Sequence, residues 1–158
     1  MLLIARKISD LDVPELWSIY ANDHGMNISG SAGQGECKRE FYLFLTDFFC
    51  NLHGSYFILI EDSAYVSAVR AQKFEDGILI SGLQTKREQR NKGYAKCLLK
   101  CVCDEIRRGG DVPIYSHVSE KNSVSLAVHR SCDFHVLKES AHMLDGSVRS
   151  DTWTLVYL

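Results

Sequence analysis

The chain has 158 residues, 46% of them apolar and 24% charged, with a formal net charge of −2. That length supports one domain with a sizeable core, so residues 1–158 are expected to form a single unit. The charge balance argues against a nucleic-acid or anionic-membrane partner, and no apolar run reaches the length of a membrane span. The first element is a strand over 2–8, and Met1-Leu2-Leu3-Ile4 is too short for a signal peptide. Ser9 or Asp10 is expected to cap a helix through Leu11, Leu16, Trp17 and Tyr20, with Pro14 tolerable in its first turn. Residues 22–35 hold glycines among Ser and Asn and read as a long loop, either a functional segment or a plain connector.

A second helix is expected over 36–52, where Phe41, Phe44, Leu45, Phe48, Phe49 and Leu52 recur every three or four residues as a core-facing stripe. Three strands follow at 55–60, 64–74 and 78–85. They are separated by Glu61-Asp62-Ser63 and by Glu75-Asp76-Gly77, the latter holding the Asp-Gly hairpin signal. An amphipathic helix begins after Gly93 and stops at Gly109-Gly110. A strand over 112–118 returns from that crossover and should therefore run parallel to 78–85. The last helix spans 122–132, and strands over 134–139 and 152–158 flank a loop around Asp145-Gly146-Ser147. The order βααβββαβαββ describes an α+β fold with a mixed, mostly antiparallel sheet of about seven strands and four helices.

Cys37, Cys50, Cys97, Cys101, Cys103 and Cys132 form no CxxC pair, and the histidines are scattered, so neither a disulfide framework nor a metal site is expected. The cysteines fall largely on predicted helices among core residues, which points to a reducing, cytoplasmic location. Cys103 shares a helix face with Lys96, Lys100 and Arg107 and is the thiol expected to be exposed.

The most informative stretch is the junction Arg90-Asn91-Lys92-Gly93-Tyr94-Ala95, directly after a strand and opening a helix. Gly93 lets a ligand approach the backbone, the first helical turn offers unpaired N–H groups, and Arg90 and Lys92 add charge. The junction reads as a phosphate site. A dinucleotide fingerprint would need two more glycines. A P-loop fails too, because Gly25 and Gly30 are followed by Ser31-Ala32 instead of lysine. What it meets is [QR]-x-x-G-x-[GA], through Arg90, Gly93 and Ala95. A second segment, Asn122 to Phe134, is similar to N-x-x-[AS]-x-x-x-[YH]-x-x-x-G-F through Asn122, Ser125, His129 and Phe134. With both motifs in register in that element order, the whole chain resembles the GNAT superfamily of N-acetyltransferases. It departs at Asp133, where the family has glycine, at Cys132, and at Arg87, where proline is common.

The resemblance implies acetyl-CoA in a gap between the two parallel strands, with no metal. Backbone groups of Leu83 and Thr85 would pair with the pantetheine arm and polarise the thioester carbonyl. Arg90 with the N–H groups of Asn91, Lys92, Gly93, Tyr94, Ala95 and Lys96 would hold the pyrophosphate, and Asn122 would contact the pantetheine from the far wall. His129 takes the place of a family tyrosine that protonates the coenzyme A thiolate, and an imidazole is chemically competent for it. His117 corresponds to a general base in some relatives, and alternation puts it with Tyr115 on one strand face. The loop over 25–35 would act as a flap over the acceptor. The expected activity is transfer of acetyl to a primary amine of a small molecule or peptide by direct attack in a ternary complex. The alternative is a non-catalytic acyl-CoA-binding module on the same fold, and a homodimer remains open.

Overall fold

In the computed structural model, residues 1–21 and 34–158 are described, with the side chains of all of these except 34–36. The elements run β1 (Leu2–Ala5), α1 (Val13–Tyr20), α2 (Gln34–Cys50), β2 (Ser55–Glu61), β3 (Ala64–Phe74), β4 (Gly77–Thr85) and α3 (Tyr94–Gly109). They continue as β5 (Ile114–Ser119), α4 (Ser123–Arg130), β6 (His135–Lys138), β7 (Ala141–His142), β8 (Val148–Arg149) and β9 (Thr152–Tyr157). A seven-stranded sheet has the order β1-β2-β3-β4-β5-β9-β6, and only β4 and β5 pair in parallel. The expected α+β order βααβββαβαββ is therefore observed. The segment read as a plain loop around Asp145-Gly146-Ser147 additionally carries the β7–β8 ribbon.

Local chemistry moves three boundaries from their expected places. Asp12, not Ser9 or Asp10, caps α1, its Oδ1 accepting from the Glu15 N–H at 3.0 Å. Asp10 is spent elsewhere, turning back to accept from the Arg6 and Lys7 N–H groups inside a 3-10 turn. Glu75 adopts a positive φ, so the β3–β4 turn is Glu75-Asp76 with Phe74 opposite Gly77, one residue earlier than the Asp-Gly pair suggests. The second helix stops at Cys50, which leaves Leu52 exposed instead of on the core stripe.

The sheet separates two cores. On one face Phe57, Val69, Ile80, Ile114, Val118 and Leu155 pack against Leu98, Leu99 and Val102 of α3 and Leu126 of α4. On the other, Tyr56, Ile58 and Ala68 meet Leu16 and Ile19 of α1 and Phe41, Leu45 and Phe48 of α2. Each fully buried Leu or Phe side chain contributes about 1.5–3 kcal/mol. Cys103 belongs to the first core, which corrects the expectation of an exposed thiol there. It lies four residues from Leu99, on the flank of the apolar stripe, and burial pushes its thiol up to about 12. Cys50 and Cys97 are the exposed thiols, and none of the six cysteines forms a disulfide.

Among the described residues, no helix is long and apolar enough to cross a membrane, and no group of three or more His, Cys, Asp or Glu could hold a metal ion.

Candidate active site

The site begins where two parallel strands part. β4 and β5 pair only from Ile78–Ile114 to Ile80–Ser116. Just beyond, β4 carries a bulge: Arg70 faces Ser81 and Ala68 faces Gln84, so Gly82 and Leu83 both stand opposite Val69. The extra residue bends the strand at the point where it leaves β5. Gly82 takes φ +63, a conformation that costs other residues about 1–2 kcal/mol, and its carbonyl accepts from the Tyr20 hydroxyl at 3.1 Å. A lone glycine inside a strand pattern is the sequence signal for such a bulge. The gap is a cavity of ≈ 170 Å³ whose lining includes Gly82, Leu83, Ser116, His117, Asn122, Ser125 and His129.

From the end of β4 the chain passes through a 3-10 turn, Arg87–Gln89, into the junction before α3. Asn91 and Gly93 both adopt positive φ, 63° and 81°. Alternating them with Lys92 curls the backbone into a concavity that suits an anion. The first intrahelical bond runs from the Cys97 N–H to the Gly93 carbonyl, leaving the N–H groups of Tyr94, Ala95 and Lys96 without helical partners. A Cβ on Gly93 would meet no atom within 4 Å, so the space in front of the loop is open. Arg90 Nε donates to the Thr85 carbonyl at 3.1 Å and braces the loop on β4, while Lys92 Nζ donates to Gln89 Oε1 at 2.8 Å. An open anion cradle beside a strand gap fits a long phosphate-bearing ligand such as coenzyme A.

Asn122 caps α4, its Oδ1 accepting from the Ser125 N–H at 3.0 Å. Asp133 takes the left-handed position that closes the helix, φ 64, as the glycine-to-Asp departure requires. The helix holds His129 against β5 at 2% exposure, with its ring edge-on to Phe134. His129 Nδ1 lies 2.8 Å from the Ser125 carbonyl, which can only accept, so this nitrogen carries a proton. In the neutral ring Nε2 then accepts from the Ser116 hydroxyl, 2.9 Å away. Burial lowers the His129 pKa, partly offset by the Ser125 carbonyl.

His117 is the next residue along β5 and points to the other sheet face, its ring edge-on to Phe74 at 5.4 Å. Burial lowers its pKa first, Glu75 raises it and His142 lowers it further. The two histidines thus reach one cleft from opposite faces of the sheet. Tyr115, on the His117 face, donates to Asp76 Oδ1 at 2.7 Å, and that bond is the main reason its phenol is pushed up to about 12.

Both imidazoles therefore bind protons less readily in the folded chain than in the unfolded one, whose imidazoles titrate near 6.5. Stability from these groups is complete above about pH 6.5 and is lost as the pH falls toward the lowered folded values. The urea midpoint is expected to decline as the pH falls below about 6.5. A flat profile across that window would remove both histidines from the balance.

Of the residues singled out from sequence, Leu83, His117, Asn122 and His129 line the cleft, and residues 90–96 sit at the strand end that opens it. The Thr85 carbonyl is occupied by Arg90, and its hydroxyl lies 3.0 Å from Ser67 Oγ. Ser116 carried no signal of its own, because its role appears only once His129 is placed against it. Of the proposed flap over 25–35, residues 25–33 lie outside the described residues, and 34–35 begin α2.

Solved structures share this fold. Ribosomal-protein-alanine N-acetyltransferase from Brucella melitensis superposes with a TM-score of 0.70 at 17% identity, covering 99% of this chain and 99% of that one. The ribosomal-protein-S18-alanine N-acetyltransferase from Escherichia coli gives 0.69 at 17% identity over 99% and 92%. PaiA N-acetyltransferase from Thermoplasma acidophilum, in complex with coenzyme A, gives 0.67 at 14% identity over 99% and 98%. A comparison with curated protein sequences finds no match. The model of the acetyltransferase (GNAT) family matches residues 14–134, a span that runs from the capped start of α1 to the Phe134 that closes α4. The chain belongs to that family.

Proposed function

We propose that this protein is an acetyl-CoA-dependent N-acetyltransferase acting on a primary amine of a small molecule or peptide, by direct attack in a ternary complex. The observation that carries the reading is the strand gap itself, with a hydrogen-bonded His129–Ser116 pair on one face and His117 on the other. Coenzyme A complexes among structurally similar proteins support the choice of cofactor.

Acetyl-CoA supplies an already activated thioester, so no covalent enzyme nucleophile is needed, and buried Cys132 and Cys103 have none of the features of one. The N–H groups after Arg90 hold the pyrophosphate, and backbone groups at Leu83 and Thr85 orient the pantetheine arm and polarise the carbonyl. His117, kept neutral at pH 7 by its lowered pKa, takes the proton the amine loses as the N–C bond forms. As the C–S bond breaks, the sulfur needs a proton. A proton taken up by His129 from solvent puts hydrogens on both ring nitrogens. The Nε2 proton then passes to Ser116 Oγ as the serine hydrogen passes to the sulfur, leaving a neutral imidazole, an intact serine hydroxyl and the free thiol. Negative charge developing there raises the imidazole pKa when the proton is needed.

Free-thiol release from acetyl-CoA, measured with a panel of aminoglycosides, polyamines, amino acids and peptides, tests the activity. No turnover with any amine, alongside measurable coenzyme A affinity, would favour the binding module. With an accepted amine, His117→Ala should remove an ascending limb of the kcat/KM profile that stays fixed when acceptors of different amine pKa are compared. A limb that moves with the amine belongs to the substrate and would displace His117 from the role of base.

A further inference from the structure

Arg70 lies in β3 opposite Ser81, on the sheet face covered by α1 and α2. Its guanidinium stacks over the Phe44 ring, with Cζ 4.8 Å from the centroid. It also lies against the β4 bulge: a Cβ built on Gly82 would stand 2.9 Å from Arg70 Nη2. Gly82 lines the cleft, and His117 enters the cleft from this same face.

The charge is poorly compensated. Arg70 Nε is buried without a hydrogen-bond partner, and no described carboxylate pairs with the guanidinium. The Tyr20 and Tyr56 phenols are close enough to feel it, but burial is the leading cause that pushes both above their ordinary value, so neither ionises at neutral pH to supply a counter-charge. The Tyr20 hydroxyl hydrogen is committed to the Gly82 carbonyl, and Tyr56 Oη lies beside both Tyr20 and the Arg70 guanidinium without reaching either in full hydrogen-bonding geometry. Arg70 is only partly buried, but its Nε edge is desolvated without a partner, and stacking on one phenylalanine recovers only part of that cost. A planar fork of donors with spare capacity is matched by a carboxylate, while a second cation in the acceptor would be repelled.

We propose that Arg70 selects acceptors that carry a carboxylate besides the reacting amine, holding it at the Gly82 bulge while the amine faces His117. This rests on the acetyltransferase reading and narrows its acceptor to amino carboxylates over polyamines.

The test compares ω-amino carboxylates of increasing chain length with their neutral amides and with diamines, by free-thiol release. At the best length the carboxylate is expected to exceed its amide by about 10- to 100-fold in kcat/KM. Arg70→Gln should bring the carboxylate down to the level of the amide, and Arg70→Lys should keep part of the preference. Unchanged coenzyme A affinity in both variants shows that they are folded. Calorimetric binding of the N-acetylated carboxylate and amide products to the coenzyme A-loaded protein gives a readout that needs no turnover. A carboxylate preference in binding that Arg70→Gln abolishes supports the assignment, even if no acceptor turns over and the enzymatic reading fails. Turnover of amides or diamines equal to that of carboxylates overturns it while leaving the enzymatic reading intact. So does a preference that survives in Arg70→Gln, or equal binding of both products.

Discussion

His129→Phe is expected to lower kcat by about 100-fold or more while leaving the KM for acetyl-CoA nearly unchanged. The proton is required only as sulfur departs, so its loss should be felt in the transition state and not in coenzyme binding. The substitution keeps the ring volume beside Phe134 but deprives the buried Ser116 hydroxyl and the Ser125 carbonyl of their partner. A stability loss of about 1–3 kcal/mol should accompany it, so rates must be taken on protein shown to be folded. Ser116→Ala isolates the relay, because it leaves the imidazole and its Ser125 contact in place. Full turnover in His129→Phe would sink the donor assignment. Tyr115 is no substitute, since its hydroxyl is held by Asp76 on the opposite face of the sheet.

Gly93→Val should weaken acetyl-CoA binding by about 100-fold, roughly the loss of one or two charge-assisted hydrogen bonds. Two effects act together. The residue sits at φ +81, ψ 4, where a branched side chain is strained whatever the space around it. The site in front of it is empty of protein atoms, so the new methyls would project into the room a phosphate needs. Calorimetric titration of the folded variant decides the matter, and unchanged affinity would remove the junction as the coenzyme site.

What the sequence revealed was uneven, and the division follows the two faces of the sheet. The half proposed to hold the coenzyme could be read because its geometry is written in short local spacings: a glycine three residues after an arginine at a helix start, and an asparagine seven residues before a histidine on one helix. The order of elements along the chain was legible because hydrophobic periodicity changes from two to three or four between strands and helices. The half proposed for the acceptor could not be read. Arg70 looks like any polar residue in a strand until Phe44 from α2 and Gly82 from β4 are brought to it, and those contacts span many residues of chain. Cys103 misled because residues three and four apart share a helix face only approximately, so a position beside three basic residues still rolled into the core. The cap of α1 was misplaced by two residues because Asp10 and Asp12 have the same chemistry, and only the backward turn to Arg6 and Lys7 distinguishes them.

The bulge at Gly82 also sets the phase of everything after it in β4. Side chains alternate across a strand, so one inserted residue exchanges inside for outside over the remainder of its length. Leu83 faces the α3–α4 core because Gly82 has taken an extra step before it. Removing that one residue would not shorten a loop. It would leave Leu83 opposite Val69 on the core face and Gln84 opposite Ala68, and would draw the strand back into an unbroken ladder with β3, removing the bend by which β4 leaves β5. Such a deletion would spare the core and close the gap, so length at this point is as much a part of the site as any side chain that lines it.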